Sequence, residues 1–168
     1  MKKKRWKHLL TTFSGKDRMI RLLDISRLEI AESVLNVQIP SYLVEVSYIG
    51  FKEIPPLKDT AETLAACGET FLGFFVKEEL AGFLSYEMDE DIMTICRVAV
   101  HPEHFKKGIA SALLKEAEKA AYSLRTIKVS TGKKNSPAIS LYQKTGYSKT
   151  KDILIQPDLW ITCLEKKV

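Results

Sequence analysis

The residues best suited to chemistry lie between positions 97 and 114, in a segment that reads RVAVHPEHFKKGIASALL. A strand-like apolar stretch ends at a His-Pro pair, and a loop with Lys106 and Lys107 leads into a helical pattern that opens at Gly108. The start of a helix offers free backbone N–H groups and the positive end of its dipole, and both favour a phosphate or pyrophosphate. Gly108 and Ala110 keep the first turn bare, so a ligand can approach the backbone closely. The segment predicts an anion site, although it is neither a Walker A loop nor a GxGxxG loop.

A second segment, residues 135–147, reads NSPAISLYQKTGY. The proline stands at an early position of a helical pattern, where its missing N–H costs nothing. Alanine, isoleucine, leucine and Tyr142 follow, and Gly146 ends the pattern. We therefore predict a short helix over residues 136–145 that carries Tyr142.

Together the two segments resemble the GNAT superfamily of acyl-CoA-dependent N-acetyltransferases. The stretch VAVHPEHFKKGIASALL is similar to its motif A, and NxxAIxLYxKxGY is similar to its motif B. The resemblance covers about residues 19–165. It implies an α/β (α+β) fold with a mixed, mostly antiparallel central sheet flanked by helices, whose strands splay around the coenzyme A site. The implied activity is transfer of an acetyl group from acetyl-CoA to a primary amine.

The resemblance also implies roles for the matching positions. Backbone N–H groups of residues 105–110 would hold the pyrophosphate of coenzyme A, and the strand before them would lie along the pantetheine arm. The positions expected to bind the coenzyme are Val98, Ala99, Val100, Phe105, Lys106, Lys107, Gly108, Ile109, Ala110, Ser111, Asn135 and Tyr142. The chain departs from the family at Phe105, where Gln or Arg is usual. That removes one polar side chain and leaves the backbone cradle intact.

Such enzymes transfer the acyl group directly from thioester to amine, without a covalent enzyme intermediate. The resemblance implies that Tyr142, whose hydroxyl has a pKa near ~10 in solution, is the acid for the departing thiolate. A merely packed aromatic ring is the alternative. A strand amide at or beside Val100 would polarise the carbonyl. The general base stays open, because the family glutamate would fall near Thr94, and Glu87, Asp91 or a water relay are the candidates.

Two further segments could bind the acceptor. The loop at residues 50–57 lies where this family builds its acceptor pocket, so Phe51 and Glu53 are candidate lining residues, and a rigid proline turn is the alternative. The acidic tip at residues 87–91 could contact a cationic acceptor or could be solvated.

Composition fits a single globular domain with a charged leader. The chain has 168 residues, 45% of them hydrophobic, and no apolar run approaches the roughly 20 residues that span a bilayer. Residues 1–18 carry seven cationic and one acidic side chain, whereas the remainder is nearly neutral. We expect a basic N-terminal extension over residues 1–18, which could be disordered or could bind nucleic acid or anionic lipid. One N-acetyltransferase domain is expected to follow over residues 19–168.

The sulfur and imidazole residues predict neither disulfides nor metal. Cys67, Cys96 and Cys163 are widely spaced, which favours a reducing, cytoplasmic setting. Cys96 is expected in the core rather than as a nucleophile. His101 and His104 have no partner at ligand spacing, so no metal site is expected.

The hydrophobic periodicity predicts the element order βααβββαβαββ. Helix 26–36 would begin with Ser26 as N-cap and Glu29 completing a capping box. The expected elements are strand 19–24, helix 26–36, candidate helices 41–49 and 60–67 on either side of loop 50–58, strands 70–76, 80–86 and 92–100, helix 108–122, strand 126–130, helix 136–145, and strands 147–155 and 159–165.

The sequence thus predicts an acetyl-CoA-dependent N-acetyltransferase with a small-molecule or peptide amine as acceptor. No membrane or nucleic-acid partner is expected, and a homodimer stays open. Two rivals remain. One is a non-catalytic acyl-CoA-binding module, and the other is a nucleic-acid-associated protein that uses the basic arm. The sequence does not identify the acceptor.

Overall fold

Eight strands form one sheet in the computed structural model, which describes residues 11–12 and 17–168. The strands run in the order β1-β2-β3-β4-β5-β6-β8-β7 across the sheet. They are β1 (Thr11–Thr12), β2 (Arg18–Leu23), β3 (Thr70–Val76), β4 (Glu79–Asp89), β5 (Ile92–Val100), β6 (Thr126–Gly132), β7 (Ser148–Gln156) and β8 (Leu159–Lys167). The described residues also form four α-helices: α1 (Leu28–Ile49), α2 (Ala61–Ala65), α3 (Ile109–Ala120) and α4 (Ser136–Lys144). Short 3-10 turns lie at Pro55–Leu57 and Pro102–His104.

Every neighbouring pair of strands is antiparallel except β5 and β6, which are parallel. The predicted mixed, mostly antiparallel sheet is therefore confirmed. Side chains alternate between its two faces, so that Phe83 belongs to one hydrophobic cluster and Leu84 to the other. The first cluster includes residues of α1 and α2, and the second includes the apolar stripe of α3. The helices thus flank the sheet, as expected.

The two parallel strands stay paired for only three residues each. Ile92–Thr94 face Thr126–Lys128, and beyond Thr94 no pairing joins β5 to β6. On its other side β5 remains paired with β4 as far as Val100, and β6 remains paired with β8 as far as Gly132. The predicted splay between the strands is therefore present.

A β-bulge marks the point where the strands part. Ser85 pairs with Arg97 and Tyr86 pairs with Ile95, so Cys96 has no partner on β4. A bulge bends its strand and increases the local twist. The bulge therefore lies two residues after Thr94, the last residue of β5 that pairs with β6.

Helix α1 differs from the sequence prediction in two respects. It is one helix of 22 residues that continues through Pro40, so the prediction of two helices, 26–36 and 41–49, is wrong. Proline removes a single backbone hydrogen bond, and the buried face that includes Val34, Val37 and Tyr42 continues on both sides of it. The N-cap is Arg27, without a side-chain cap, because the Ser26 hydroxyl donates to Asp24 instead.

The remaining helices begin and end close to their predicted bounds. The N-terminal extension predicted over residues 1–18 falls mainly outside the described residues, and the division at residue 19 stays a prediction. Within that range, Thr11–Thr12 pair with Ile20 and Met19, and Arg18 begins β2. In the described part of the chain, no helix has the length and hydrophobicity to cross a membrane.

The last turn of α1 lies against β6 at a glycine. A Cβ on Gly132 would stand only 2.5 Å from Cγ2 of Ile49. Ile49 is buried, and Gly50 then closes the helix in the left-handed region, with its N–H donating to the Val46 carbonyl at 2.9 Å. The glycine therefore permits α1 and β6 to approach this closely.

We predict that Gly132→Ala lowers the free energy of unfolding by about 1–3 kcal/mol, because the added methyl overpacks against Ile49. Ile49→Ala alone should cost about 2–5 kcal/mol through the cavity it leaves. Urea unfolding of both single variants and the double variant measures the coupling between the two sites. The double variant should lose clearly less than the sum, and strict additivity would show that this contact does not set the spacing of α1 and β6.

Candidate active site

A cleft of about 320 Å³ opens where β5 and β6 separate. Its floor is formed by residues of the two parting strands, among them Val98 and Thr131. Helix α1 contributes Tyr42 and Glu45 to one side, and α4 contributes Tyr142. The cleft therefore exists because the strands diverge, and helix side chains line it.

Asn135 and Tyr142 come to the same cleft through the short helix α4. Asn135 is the N-cap: its Oδ1 accepts from the Ala138 N–H at 3.3 Å, while its Nδ2 donates to Oγ1 of Thr131 at 3.3 Å. Tyr142 is only 5% exposed and meets Tyr147 edge-on, with 5.8 Å between the ring centroids. The helix start and the tyrosine are thus both anchored, one by hydrogen bonds and the other by ring packing.

Burial changes the proton chemistry of Tyr142. Loss of hydration, together with the nearby Glu45 carboxylate, raises the pKa of Tyr142 well above its ordinary value. Both causes disfavour a negatively charged phenolate. At neutral pH the hydroxyl is therefore protonated and available as a donor.

The basic turn leads directly into α3. Gly108 is the N-cap, with φ 77°, and Lys106 also lies in the left-handed region, with φ 60°. Nothing lies within 4 Å of the position that a Cβ on Gly108 would occupy. Lys107 is turned back, its Nζ donating to the Glu103 carbonyl at 3.2 Å. The turn thus presents an open backbone at the positive end of a twelve-residue helix.

Most of the predicted coenzyme-binding positions fall into two groups. Val98, Asn135 and Tyr142 line the cleft, whereas residues 105–111 form the turn and the start of α3. Ala99 and Val100 have buried side chains that pack into the two hydrophobic clusters. These two residues can reach a ligand through their backbone, because the edge of β5 that faces β6 has no strand partner beyond Thr94.

Glu45 is the site residue that the sequence analysis missed. Its carboxylate lines the cleft and is hydrogen-bonded by the side chains of Asn135 and Thr131. Burial raises the pKa of Glu45, and these two hydrogen bonds oppose the rise without cancelling it. A signal was present, because Glu45 stands three residues after buried Tyr42 and four before buried Ile49, on the inward face of a helix.

The carboxylates suggested earlier as a base lie elsewhere. Glu87 is exposed on β4, opposite Thr94, and Asp91 pairs with Arg125 at 3.2 Å in the turn before β5. Neither lines the cleft. The acidic tip is also shorter than expected, because β4 continues to Asp89.

The predicted acceptor loop contributes through its second half. Ile54, Pro55 and Pro56 line the cleft. Phe51 packs against the hydrophobic cluster around α1, and Glu53 is exposed and pairs with Lys58 at 2.7 Å. The expectation that Phe51 and Glu53 line the pocket is therefore wrong, since the 3-10 turn directs the prolines there instead.

A buried polar network holds this loop to the sheet. Arg97 on β5 pairs with Asp59, and its Nε donates to Oε2 of Glu69 at 2.9 Å. Ser85 donates to the same Glu69 oxygen at 2.5 Å. Gln38 of α1, fully buried, donates to the Pro56 carbonyl and to Asp59, both at 2.8 Å.

The pKa of Arg97 reflects its surroundings. Burial alone would lower it, but hydrogen bonds and charge from Glu69 and Asp59 outweigh that and raise the pKa. The guanidinium therefore stays positively charged and is paired with the carboxylates of Asp59 and Glu69.

In the described part of the chain, no cysteine or histidine is arranged for catalysis. Cys96 is exposed at the edge of the cleft rather than buried in the core as expected, because it is the bulged residue. Loss of hydration is the main reason why the pKa of its thiol is raised to about 12, so it is not a reactive thiolate. His101 caps a 3-10 turn, accepting from the Glu103 N–H at 3.3 Å. Among the described residues, no group of His, Cys, Asp and Glu side chains is arranged to hold a metal ion.

Comparison with known sequences gives two matches. Residues 32–147 match the acetyltransferase (GNAT) family. A curated relative, the UPF0157 protein YqkA of Bacillus subtilis (strain 168), is 38% identical over 135 residues. That alignment covers 80% of this chain and 39% of the relative, so the chain spans well under half the length of that protein.

Comparison with solved structures gives the same fold. The PaiA N-acetyltransferase from Thermoplasma acidophilum, solved in complex with coenzyme A, superposes with a TM-score of 0.74 at 23% identity, covering 90% of this chain and 99% of that one. The ribosomal-protein-S18-alanine N-acetyltransferase from Escherichia coli gives a TM-score of 0.72 at 15% identity, covering 90% and 94%. At these identities the likeness concerns the fold.

We predict that Arg97→Met destabilises the protein by about 3–5 kcal/mol, because it leaves the largely buried carboxylates of Asp59 and Glu69, 18% and 11% exposed, without a counter-charge. The matched control is Arg125→Met, whose side chain is 84% exposed beside Asp91 and should cost no more than about 1 kcal/mol. Urea denaturation of both variants gives the comparison. Neutralising the carboxylates as well, with Asp59→Asn and Glu69→Gln, should recover much of the loss, and equal costs for the two arginine variants would contradict the burial argument.

Proposed function

The chain belongs to the acetyltransferase (GNAT) family, and we propose that it transfers an acetyl group from acetyl-CoA to the nitrogen of a primary amine. One observation carries the proposal. Where β5 and β6 separate, Asn135 and Tyr142 from one sequence motif line the same cleft as Val98, on the strand that leads into the other motif. The complex of coenzyme A with the Thermoplasma protein of the same fold supports the choice of donor.

The residues at the start of α3 fit a pyrophosphate. The backbone there is open in front of Gly108, the helix dipole favours an anion, and Lys106 adds a positive charge. Phe105, which replaces the usual polar residue, is partly exposed and leaves these amides unchanged. We propose that this turn holds the pyrophosphate, while Asn135 and the free edge of β5 hold the pantetheine arm. The bound co-substrate supplies the activated acetyl thioester.

The transfer requires one bond to form and one to break. The amine nitrogen forms a bond to the thioester carbonyl carbon, and the bond from that carbon to sulfur breaks. Tyr142 gives its proton to the departing sulfur and regains one from the nitrogen that has been acylated. A backbone N–H on the free edge at residues 98–100 is available to donate to the carbonyl oxygen.

The direct experiment incubates the full chain with acetyl-CoA and a panel of primary amines, and reads thiol release. Turnover with at least one amine, with mass spectrometry locating the acetyl group on nitrogen, supports the proposal. Tight acetyl-CoA binding without turnover of any amine would favour the non-catalytic acyl-CoA-binding alternative. Binding of nucleic acid that disappears when residues 1–18 are removed would favour the other rival.

We also propose a cytoplasmic location and no membrane or nucleic-acid partner. The three cysteines are free, which suits a reducing compartment. The oligomeric state follows from none of these observations and is measured directly by light scattering.

We predict that Gly108→Ala weakens coenzyme A binding by at least about tenfold, or about 1.4 kcal/mol, because the methyl occupies the space that a pyrophosphate needs. The matched control is Gly50→Ala. Both glycines have positive φ, 77° and 69°, and both have open space where the Cβ would lie. Each substitution should therefore cost a similar ~1–2 kcal/mol of stability from backbone strain.

Calorimetric titration with coenzyme A separates binding from stability. Equal affinity of the two folded glycine variants would remove the start of α3 from the binding site.

We predict that Tyr142→Phe lowers kcat by roughly 10²–10⁴-fold and leaves the KM for acetyl-CoA nearly unchanged. Only one oxygen is lost from a buried ring, so the fold should hold. The defect should shrink with an acyl donor whose leaving group has a lower pKa. Tyr147→Phe, which removes a hydroxyl outside the cleft, is the control and should retain activity.

Steady-state rates with both donors decide the role. A uniform loss with every donor would assign Tyr142 to positioning, and full turnover where chemistry limits the rate would exclude it from the mechanism.

A further inference from the structure

Among the described residues, two charged side chains line the cleft, and one of them has no ion-pair partner. Arg97 is bound by Asp59 and Glu69, so its charge is satisfied inside the protein. Glu45, in contrast, makes no ion pair with any described cation, and its hydrogen bonds come from the neutral side chains of Asn135 and Thr131. Among the described side chains that line the cleft, Glu45 is therefore the negative charge that has no ion-pair partner.

Much of the remaining lining is apolar. The 3-10 turn contributes Ile54 and two prolines, and the β7–β8 hairpin contributes Ile155 and Leu159. These surfaces offer no charged partner to a ligand. A molecule that fills the space gains by burying apolar area there.

Charge and shape together restrict the acceptor. One carboxylate attracts one ammonium group. Among the residues that the structure describes, no free cation lines the cleft to receive a carboxylate, since the guanidinium of Arg97 is already bound on two sides. A carboxylate brought next to Glu45 would be repelled.

We propose that Glu45 binds the ammonium group of the acceptor and acts as the general base that deprotonates it, and that the acceptor is an apolar primary monoamine without a carboxylate beside the amine. The inference rests on the proposed acetyltransferase function. It supplies the base that neither Glu87 nor Asp91 can provide from its position.

The proton transfer is balanced. One N–H bond of the ammonium breaks, and an O–H bond forms on the Glu45 carboxylate. The nitrogen keeps the electron pair of the broken bond and becomes nucleophilic. After the transfer Glu45 releases this proton to solvent, so that the carboxylate is regenerated.

Glu45 is also able to serve as a structural brace for Asn135 and Thr131, and the variant must separate the two roles. Glu45→Gln keeps the shape and an oxygen that can accept from those two side chains, but it removes the charge and the basicity. Glu32→Gln is the matched control, because Glu32 is an exposed residue on the same helix.

The experiment has a kinetic and a binding arm. In the kinetic arm, wild-type protein is compared on tryptamine, tryptophan and spermidine, which share a primary amine but differ in carboxylate and in number of cations. We expect kcat/KM to be highest for tryptamine, at least about tenfold above the other two. Glu45→Gln should lower kcat/KM for tryptamine by roughly 10²–10⁴-fold, and Glu32→Gln should not.

In the binding arm, tryptamine is titrated calorimetrically into the protein with and without coenzyme A. Glu45→Gln should weaken amine binding about tenfold or more and leave coenzyme A affinity unchanged. Because this arm needs no turnover, it tests Glu45 even if acetyl transfer is never seen.

The outcomes distinguish the two proposals. Loss of coenzyme A affinity in Glu45→Gln would make the residue a brace, and unchanged amine binding and turnover would exclude it altogether. Tryptophan or spermidine used as well as tryptamine would overturn the acceptor class. A wild-type protein that binds tryptamine through Glu45 but transfers no acetyl group would overturn the proposed function and leave the amine site standing.

Discussion

The site depends on one geometric event, the departure of β5 from β6 after three paired residues. A continuous parallel pair would satisfy its backbone groups internally and leave no space between the strands. The unpaired Cys96 interrupts the β4–β5 register at the point where the strands part, and a bulge of this kind bends the strand that contains it. The cleft, its free backbone edge and the approach of α4 all follow from that bend.

The surroundings are fixed by interactions of unequal strength. The Arg97 network is buried, so its charges are poorly screened and each partner requires the others. By joining α1, the proline turn and β5, it positions the part of the cleft lining formed by Ile54, Pro55 and Pro56. The contact between Ile49 and Gly132 sets the spacing of α1 and β6 by shape alone. Helix α1 is thus held at two points, by the polar network at Gln38 and by the steric contact at Ile49. Glu45 lies between them.

Much of this could be predicted from sequence where the determinants are local. The basic turn at Gly108 and the helix that carries Tyr142 are encoded by contiguous residues, and their positions agree with expectation. Pro40 was misleading because a local rule ended a helix that tertiary burial continues. Glu45 was missed because it acquires its role from Thr131 and Asn135, which are distant in the chain, and the Cys96 bulge was missed because the β4–β5 register is not encoded by a local motif. Phe51 and Glu53 were placed in the pocket on loop position alone, whereas the 3-10 turn decides which side chains point inward.

One physical cause adjusts both proton-transfer groups of the mechanism that we propose. Burial in the cleft disfavours the charged form of each acid, so it raises the pKa of Tyr142 and of Glu45 together. For the tyrosine the rise keeps the proton in place until a strongly basic thiolate appears. For the glutamate the rise brings a weak base closer to the basicity that accepting an ammonium proton requires, while hydrogen bonds from Asn135 and Thr131 oppose the rise. The phenol of Tyr142 and the carboxylate of Glu45 share the same low-dielectric space but start from different intrinsic pKa values. The phenol therefore acts as the proton donor and the carboxylate as the proton acceptor.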